Sequence, residues 1–465
     1  MKKIFRILSM ATLLIVGAIM TGCSSDDNIN NPQQPANNDN VVTLTATVGF
    51  KANATTRSVD PSNGVKTFES GNQITVIYTN TSNETVKAVS TDFTPTGDGT
   101  KATFTVSLTN PASNSAIRYI YPATMAKDVA TNATITDDAA TIDYTGLFGS
   151  QNGDLTTLGT NYDLAVFDGS LSGTDLPALA SLTNPLAICK FTLTDGSSSI
   201  TSAANSLTII NGTNTYAISP SGLSEIYVAM KPVTSGDIGF TAATGSKTYF
   251  KTAKGVTIAA GTLYTNITVS MIDVASLTVG QVIGDDGKNY AVDALPTGVN
   301  AVAKICYVGS DNGEAAPYNH GLALALSDAN SGKPCKWKTS NTDAGHTKQT
   351  SSSFTNESGL QYNATHNTTD YPAFQTAIAN NGTAAPTGCS FWFLASGYQW
   401  QKMMNAYSLE SLMTTAGGYT GLDSNPYWSS SEFDSSVAWN YYFGLDAWNN
   451  VYKDSTPLVR SCLAF

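Results

Sequence analysis

The sequence predicts a mainly β chain: a sandwich or barrel through its first part, then a C-terminal domain that mixes helix with strand. Two patterns carry this. From Val41 to Met271, short alternating or wholly apolar segments recur at regular intervals between turn residues, without helical periodicity. All six tryptophans, Trp337, Trp392, Trp400, Trp428, Trp439 and Trp448, lie beyond residue 330, and the change in composition marks a boundary near Asp273 to Val279. The length of 465 residues suits about two or three domains.

Taken in order, Lys2, Lys3 and Arg6 precede the apolar run ILSMATLLIVGAIM, so residues 1–22 read as an export signal, short for a membrane span. The run ends MTGC, the small-residue-then-cysteine pattern of a lipobox with Met20 where leucine is usual, and Cys23 is the expected lipidated residue. Residues 23–40 follow as a tether, since SSDDNINNPQQPANNDN is too polar to pack. Asp26 and Asp27 resemble the acidic signal that directs some Gram-negative lipoproteins to the outer surface.

The stretch VVTLTATVGFKANATTR, Val41 to Arg57, is a strand followed by a polar run ending in arginine. Val42, Leu44, Ala46, Val48 and Phe50 alternate with Thr43, Thr45, Thr47 and Gly49, which puts one apolar row on one face. Burial of the larger of these is worth about 1.5–3 kcal/mol each. A proteolytic cut after Arg57 would therefore open a groove that another segment must refill. On its residues alone the stretch reads first as an ordinary strand with an exposed arginine behind it.

ITVIYT, ATFTVSL, AIRYIYPAT, LAICKFTLT, SLTIING, SEIYVAM, DIGFTA, KTYFKT and TLYTNITVSM continue the strand pattern to Met271. Cys189 is in phase with Ala187, Phe191 and Leu193, so it reads as a buried small hydrophobe, not a reactive thiol. Threonine, serine, glycine and asparagine dominate, only 13% of residues are charged, and the net charge is −11 without a basic cluster. Such a surface excludes nucleic acid as a partner.

The lipobox, the TLTATVGF strand, TTR before FESGNQITV, IRYIYPAT, NPLAICKFTLT and AAGTLYTNITVSM together resemble the fimbrillin, or type V pilin, family over roughly Val41 to Met271. The resemblance implies two tandem β-sandwich domains, residues 41–180 and 181–272. It also implies a lipoprotein precursor from which an arginine-directed protease removes the first strand, so that a stalk subunit's strand fills the groove. Carried onto this chain, Arg57 is the processing site and Val42 to Phe50 the strand removed.

In the last third, Ser396 with Gln399 forms a capping-box pattern ahead of Trp400, Met403, Met404 and Tyr407, the spacing of an amphipathic helix. A second helix is expected in YPAFQTAIANNG, with Pro372 in its first turn, Phe374 and Ile378 on one face and Asn381-Gly382 at its end. Cys306, Cys335, Cys389 and Cys462 allow up to two disulfides in three pairings. Zinc is the rival, but there is no C-x-x-C and His320, His346 and His366 are scattered. NHGLALALSDA, WFLASGYQWQKMM, YWSSSEF, AWNYYF and PLVRSCLAF resemble the C-type-lectin-like domain appended to bacterial surface lipoproteins and related to the formylglycine-generating-enzyme fold, over residues 279–465. The calcium triplets of sugar-binding lectins are missing, since Trp439-Asn440 is followed by Tyr441 and Trp448-Asn449 by Asn450. A reactive cysteine pair cannot be placed either, so no metal, cofactor or catalytic residue is expected.

The resulting expectation is a surface adhesin: an outer membrane lipoprotein precursor, matured into the tip of a pilus, whose lectin-like head binds a glycan or a protein. LVRSCLAF reads as the closing strand of the head and not as a strand to donate. A permanently anchored surface lipoprotein is the alternative, and an enzyme on the formylglycine-generating-like fold a third reading. Within Glu432 to Tyr452, alternation places Trp439, Tyr441 and Phe443 on one face and Asn440 and Tyr442 on the other. Trp392, Trp400, Trp428 and Trp439 are expected in the core. Tyr442, Trp448, Asn449 and Asn450 are the candidate ligand residues, Trp448 being the most exposed aromatic beside an Asn-Asn turn.

Overall fold

A computed structural model describes residues 40–50, 67–196, 198–200, 206–245, 247–349, 354–414, 420–422 and 424–465. The export signal, Cys23, the tether up to residue 39 and Arg57 lie outside the described residues.

The chain is mainly β, built from several sheets. β1 (Val41–Phe50) is one unbroken strand, as its alternation requires. β2 (Thr75–Thr79), β3 (Thr85–Val89), β4 (Thr94–Thr96), β5 (Lys101–Thr109) and β6 (Ala116–Tyr121) follow. The chain then leaves strand for α1 (Asp138–Thr141), α2 (Thr145–Gly149) and α3 (Leu155–Asn161). The unbroken run of strands expected here is thereby corrected. Helices of about two turns or less are too short to show a 3.6-residue period; local caps mark two of them, Asp137 accepting from the Ala139 N–H and Asp154 from the Thr157 N–H.

β7 (Ala165–Ser170) and β8 (Leu179–Leu182) complete two four-stranded sheets, ordered β4-β5-β1-β8 and β3-β2-β6-β7. Ala46 and Val48 of β1, Phe104 and Val106 of β5 and Leu182 of β8 pack against Val76, Tyr78, Ile117 and Tyr119 of the second sheet. The opposite face of that second sheet is also covered, because Ile77, Ile120 and Val166 join the core of the strands that follow. Burial on both faces explains the nearly continuous apolar run AIRYIY in β6.

β9 (Ala187–Asp195), β10 (Ser198–Ser199), β11 (Ser206–Asn211), β12 (Asn214–Ile218) and β13 (Ile226–Met230) come next. β14 (Val233–Thr244), β15 (Lys247–Ile258) and β16 (Leu263–Asp273) complete the sheet β10-β9-β16-β15-β14-β11-β12, with β13 on the free side of β9. Cys189 is fully buried here, and burial pushes its thiol up to about 12.

The C-terminal region opens with β17 (Val282–Gly284), β18 (Asn289–Tyr290), β19 (Ala301–Val308) and β20 (Gly321–Ala325). α4 (Gly359–Thr365), α5 (Pro372–Ala379), β21 (Phe393–Leu394), α6 (Gly397–Ala406) and α7 (Leu409–Leu412) follow. In α6 both arms of the capping box form: Ser396 Oγ accepts from the Gln399 N–H at 3.2 Å, and Gln399 Oε1 accepts from the Ser396 N–H at 2.9 Å. Trp400 and Met403 are buried, but Tyr407 is the C-cap, 52% exposed, so the apolar stripe ends earlier than its spacing suggested. Pro372 opens α5, and Asn380, Asn381 and Gly382 end it with φ of 37°, 56° and 80°.

β22 (Pro426–Glu432), β23 (Val437–Tyr442) and β24 (Ala447–Tyr452) make a three-stranded sheet. β25 (Ser461–Ala464) closes the larger sheet β18-β17-β19-β20-β25-β21 and is buried throughout. Behind it the fully buried Arg460 donates to Asp328 at 2.8 Å and to the carbonyls of Ala325, Thr420 and Gly421. The expected disulfides are corrected, since Cys306, Cys335, Cys389 and Cys462 are free thiols. Cys306 and Cys462 lie in strands on opposite sides of β20, about two strand spacings of 4.8 Å apart, beyond the roughly 7 Å Cα limit of a disulfide. Cys389 and Cys335 sit in separate apolar clusters.

Candidate functional site: the first strand and an aromatic face

β1 pairs antiparallel with β5 from Val41↔Thr109 to Gly49↔Lys101, and parallel with β8 from Thr47↔Leu179 to Phe50↔Leu182. Only its C-terminal half is flanked on both sides, and burial follows that division. Val48 and Ala46 are buried, Leu44 and Phe50 are half-buried against the core, and Val42 lies outside the core cluster. The apolar row thus covers the core at Leu44, Ala46, Val48 and Phe50 rather than at every alternate position. Phe50 stacks on Phe68 with ring centroids 4.6 Å apart. On the opposite face Thr43 and Thr45 bond the hydroxyls of Ser107 and Thr105 at 3.0 and 3.2 Å.

The four candidate ligand residues do not share a face. Cross-strand pairing sets Tyr441 opposite Trp448 and Trp439 opposite Asn450, while Asn440 faces Asn449 and Tyr442 faces Ala447. Trp448 and Asn450 therefore lie on one side of the sheet and Tyr442 and Asn449 on the other. The expected Asn-Asn turn is also corrected: Asn449 and Asn450 are within β24, and the reversal comes earlier, at Asp446 with φ 47°. Trp448 is half-buried, wedged against Phe354 at 4.4 Å and Tyr441 at 5.2 Å between centroids. Asn440 as well as Trp439 and Tyr441 is buried, so neither face of β23 points outward as a whole.

Tyr452, two residues beyond Asn450 on the Trp448 side, is 61% exposed and is the more open aromatic. Along β24 the row Trp448, Asn450, Tyr452 is open at Tyr452, with Trp448 and Asn450 half-buried beside Trp439, Tyr441 and Phe354, while Ala447 and Asn449 are exposed on the other side. The period-two rule that separated Trp439 from Tyr442 would have grouped Tyr452 with Trp448.

This row is braced from below. Glu432 and Lys453 are both fully buried and ion-paired, and Lys348 reaches the same carboxylate. Glu432 also accepts from the Ala344 N–H at 2.9 Å, while Lys453 Nζ donates to the carbonyls of Thr342, Asp434 and Ser435. Burial draws the Lys453 ammonium below its usual pKa, and Glu432 opposes this. The pair ties β22, the end of β24 and the loop at 342–346 into one unit. Among the described residues no group of three or more His, Cys, Asp or Glu is placed to hold a metal ion, and no helix is long and apolar enough to cross a membrane.

No family model and no curated protein matches the chain. Among solved structures it is similar to a candidate cell adhesion protein from Bacteroides fragilis, with TM-score 0.30 and 10% identity over 50% of this chain and 96% of that one. It is also similar to a fimbrial assembly protein from Parabacteroides distasonis, with TM-score 0.29 and 7% identity over 52% and 98%. The minor pilin of Streptococcus agalactiae gives TM-score 0.20 and 10% identity over 51% and 98%. At these scores the similarity carries no functional argument, and the function rests on the chain's own residues.

Proposed function

We propose that the protein is a cell-surface adhesin, exported as a lipoprotein through Cys23, matured by cleavage after Arg57 and assembled as a pilus tip subunit. A stalk subunit supplies the strand that replaces β1, and a lectin-like C-terminal head binds a glycan or a surface protein. The observation that carries this reading is the place of β1. It is the first described strand, and its C-terminal half is nevertheless an inner strand between β5 and β8 with Val48 fully buried. The polar run that contains Arg57 follows it directly. Removal of β1 leaves two unpaired edges over an apolar floor, the arrangement that a donated strand fits. β25 is fixed inside the head's sheet, which suits acceptance of a strand and not donation of this one. On the head, Trp448, Asn450 and Tyr452 combine flat apolar surface with an amide, as a sugar or a protein anchor site does.

N-terminal sequencing of the mature surface form tests the reading. A start at Ser58 supports assembly by strand replacement. A lipidated start at Cys23 means instead an anchored lipoprotein that keeps β1.

A further inference from the structure

β15 and β16 are neighbours in sheet order but pair only at Tyr249↔Asp273 and Phe250↔Ile272. Beyond that corner each is bonded on its outer side, β15 to β14 and β16 to β9. The inner edges, from Lys251 on one strand and back to Leu263 on the other, diverge without backbone bonds between them. Between them opens a cleft of about 310 Å³. Its floor is the domain core itself: Phe191 from β9 and Phe240 from β14 meet edge to face at 5.3 Å, with Ile238 beside them. Val256 and Ile267 line its walls, both half-buried.

This geometry narrows what the cleft can hold. A small apolar molecule would cover the floor but leave both rows of backbone N–H and C=O groups to water. An extended polypeptide meets both, because it pairs along the edges while alternate side chains enter the apolar floor. Lys251 lies at the closed end, half-buried, with its Nζ beside Gly388. Burial disfavours its charged form, the charge of Asp286 offsets part of this, and an anion beside it in the cleft would offset more.

We propose that this cleft binds an extended segment of a partner protein, with apolar side chains at alternate positions and an acidic residue at the end that reaches Lys251. The site is separate from the β1 groove and is open while β1 is in place. The test therefore uses the full chain, uncut, and a labelled peptide of alternating valine and threonine ending in glutamate. Saturable binding is expected, with slowed amide exchange confined to residues 251–258 and 263–271. Val256→Lys and Ile267→Lys, which set an ammonium on the apolar wall, should each weaken binding by about tenfold or more. Should either variant unfold, Lys251→Glu serves instead: it should reverse the preference from a glutamate-ended to a lysine-ended peptide. Binding without slowed exchange in those strands, or equal binding by all variants, overturns the proposal. So does uptake of decanoate with no peptide binding. Failure of β1 replacement would leave each of these outcomes unchanged.

Discussion

Replacing Lys453 by methionine removes the cation beside a carboxylate that has no access to water. Glu432 and Lys453 are both fully buried, and the lysine also serves the carbonyls of Thr342, Asp434 and Ser435. Methionine matches the aliphatic stem, so the loss falls on charge and hydrogen bonding rather than on packing. Breaking a buried pair from one side costs about 3–5 kcal/mol, because the remaining charge is left uncompensated. Lys348 still reaches Glu432 but is itself partly exposed and shared with Asp343, which places the expected cost near the lower figure. For a unit of this size roughly 2–4 °C accompanies each kcal/mol, so a melting point lower by about 6–12 °C is expected. The double variant Lys453→Met with Glu432→Leu should recover most of that loss, since a pair replaced whole by apolar groups is often near neutral. Thermal and urea unfolding of the parent, both single variants and the double variant complete the cycle. A cost below about 1 kcal/mol for Lys453→Met, or a double variant no better than the single, would refute the view that this pair braces the face above it.

A chain beginning at Ser58 should melt below one beginning at Val41 and should regain stability when a peptide with the alternation of β1 is added; identical melting points without a peptide effect would remove the case for strand replacement. In the proposed head, Tyr452→Ala and Trp448→Ala should each cost about 2 kcal/mol of binding to a ligand found on glycan or protein arrays, while Tyr442→Ala, on the other side of the sheet, should cost little. Burial pushes His320 down to about 4 and His346 down to about 3. Both are neutral in the folded chain at pH values where the unfolded chain protonates them. The stability that these two histidines contribute is therefore full above about pH 6.5 and falls as pH drops from there towards 4. His320 stacks on Phe250 at 4.1 Å, so His320→Phe should keep the packing and flatten that fall, up to about 3 kcal/mol for this residue; an unchanged pH profile would show that His320 does not titrate as described.

What could be read from the sequence was local. The alternation of β1, the Ser396–Gln399 box of α6 and the Pro372 start and Asn381-Gly382 end of α5 each depend on neighbours a few residues away, and all appear in the fold. What could not be read depended on register between distant segments. Four cysteines suggested bridges, yet pairing with β20 holds Cys306 and Cys462 on opposite sides of one strand. Asn449-Asn450 has the composition of a turn, but β23 recruits it as strand and the reversal falls at Asp446. Glu432 and Lys453 are 21 residues apart, with nothing in either local pattern to announce a buried pair. The β15–β16 cleft also left no trace, because an unpaired edge has the same residues as a paired one.

The way β1 is seated also bears on how such a joint would carry load. Its bonds to β5 run along nearly its whole length, perpendicular to the strand axis, and those to β8 reinforce one end. Tension applied along that axis does not peel the bonds one at a time. It loads them together, in shear, so failure requires the register to slip as a whole while Val48 and Phe50 are dragged across the core. A strand of any origin lying in this groove in the same alignment inherits that resistance, and a connection held without a covalent bond can then withstand flow that would unzip the same strand if it were pulled from its side.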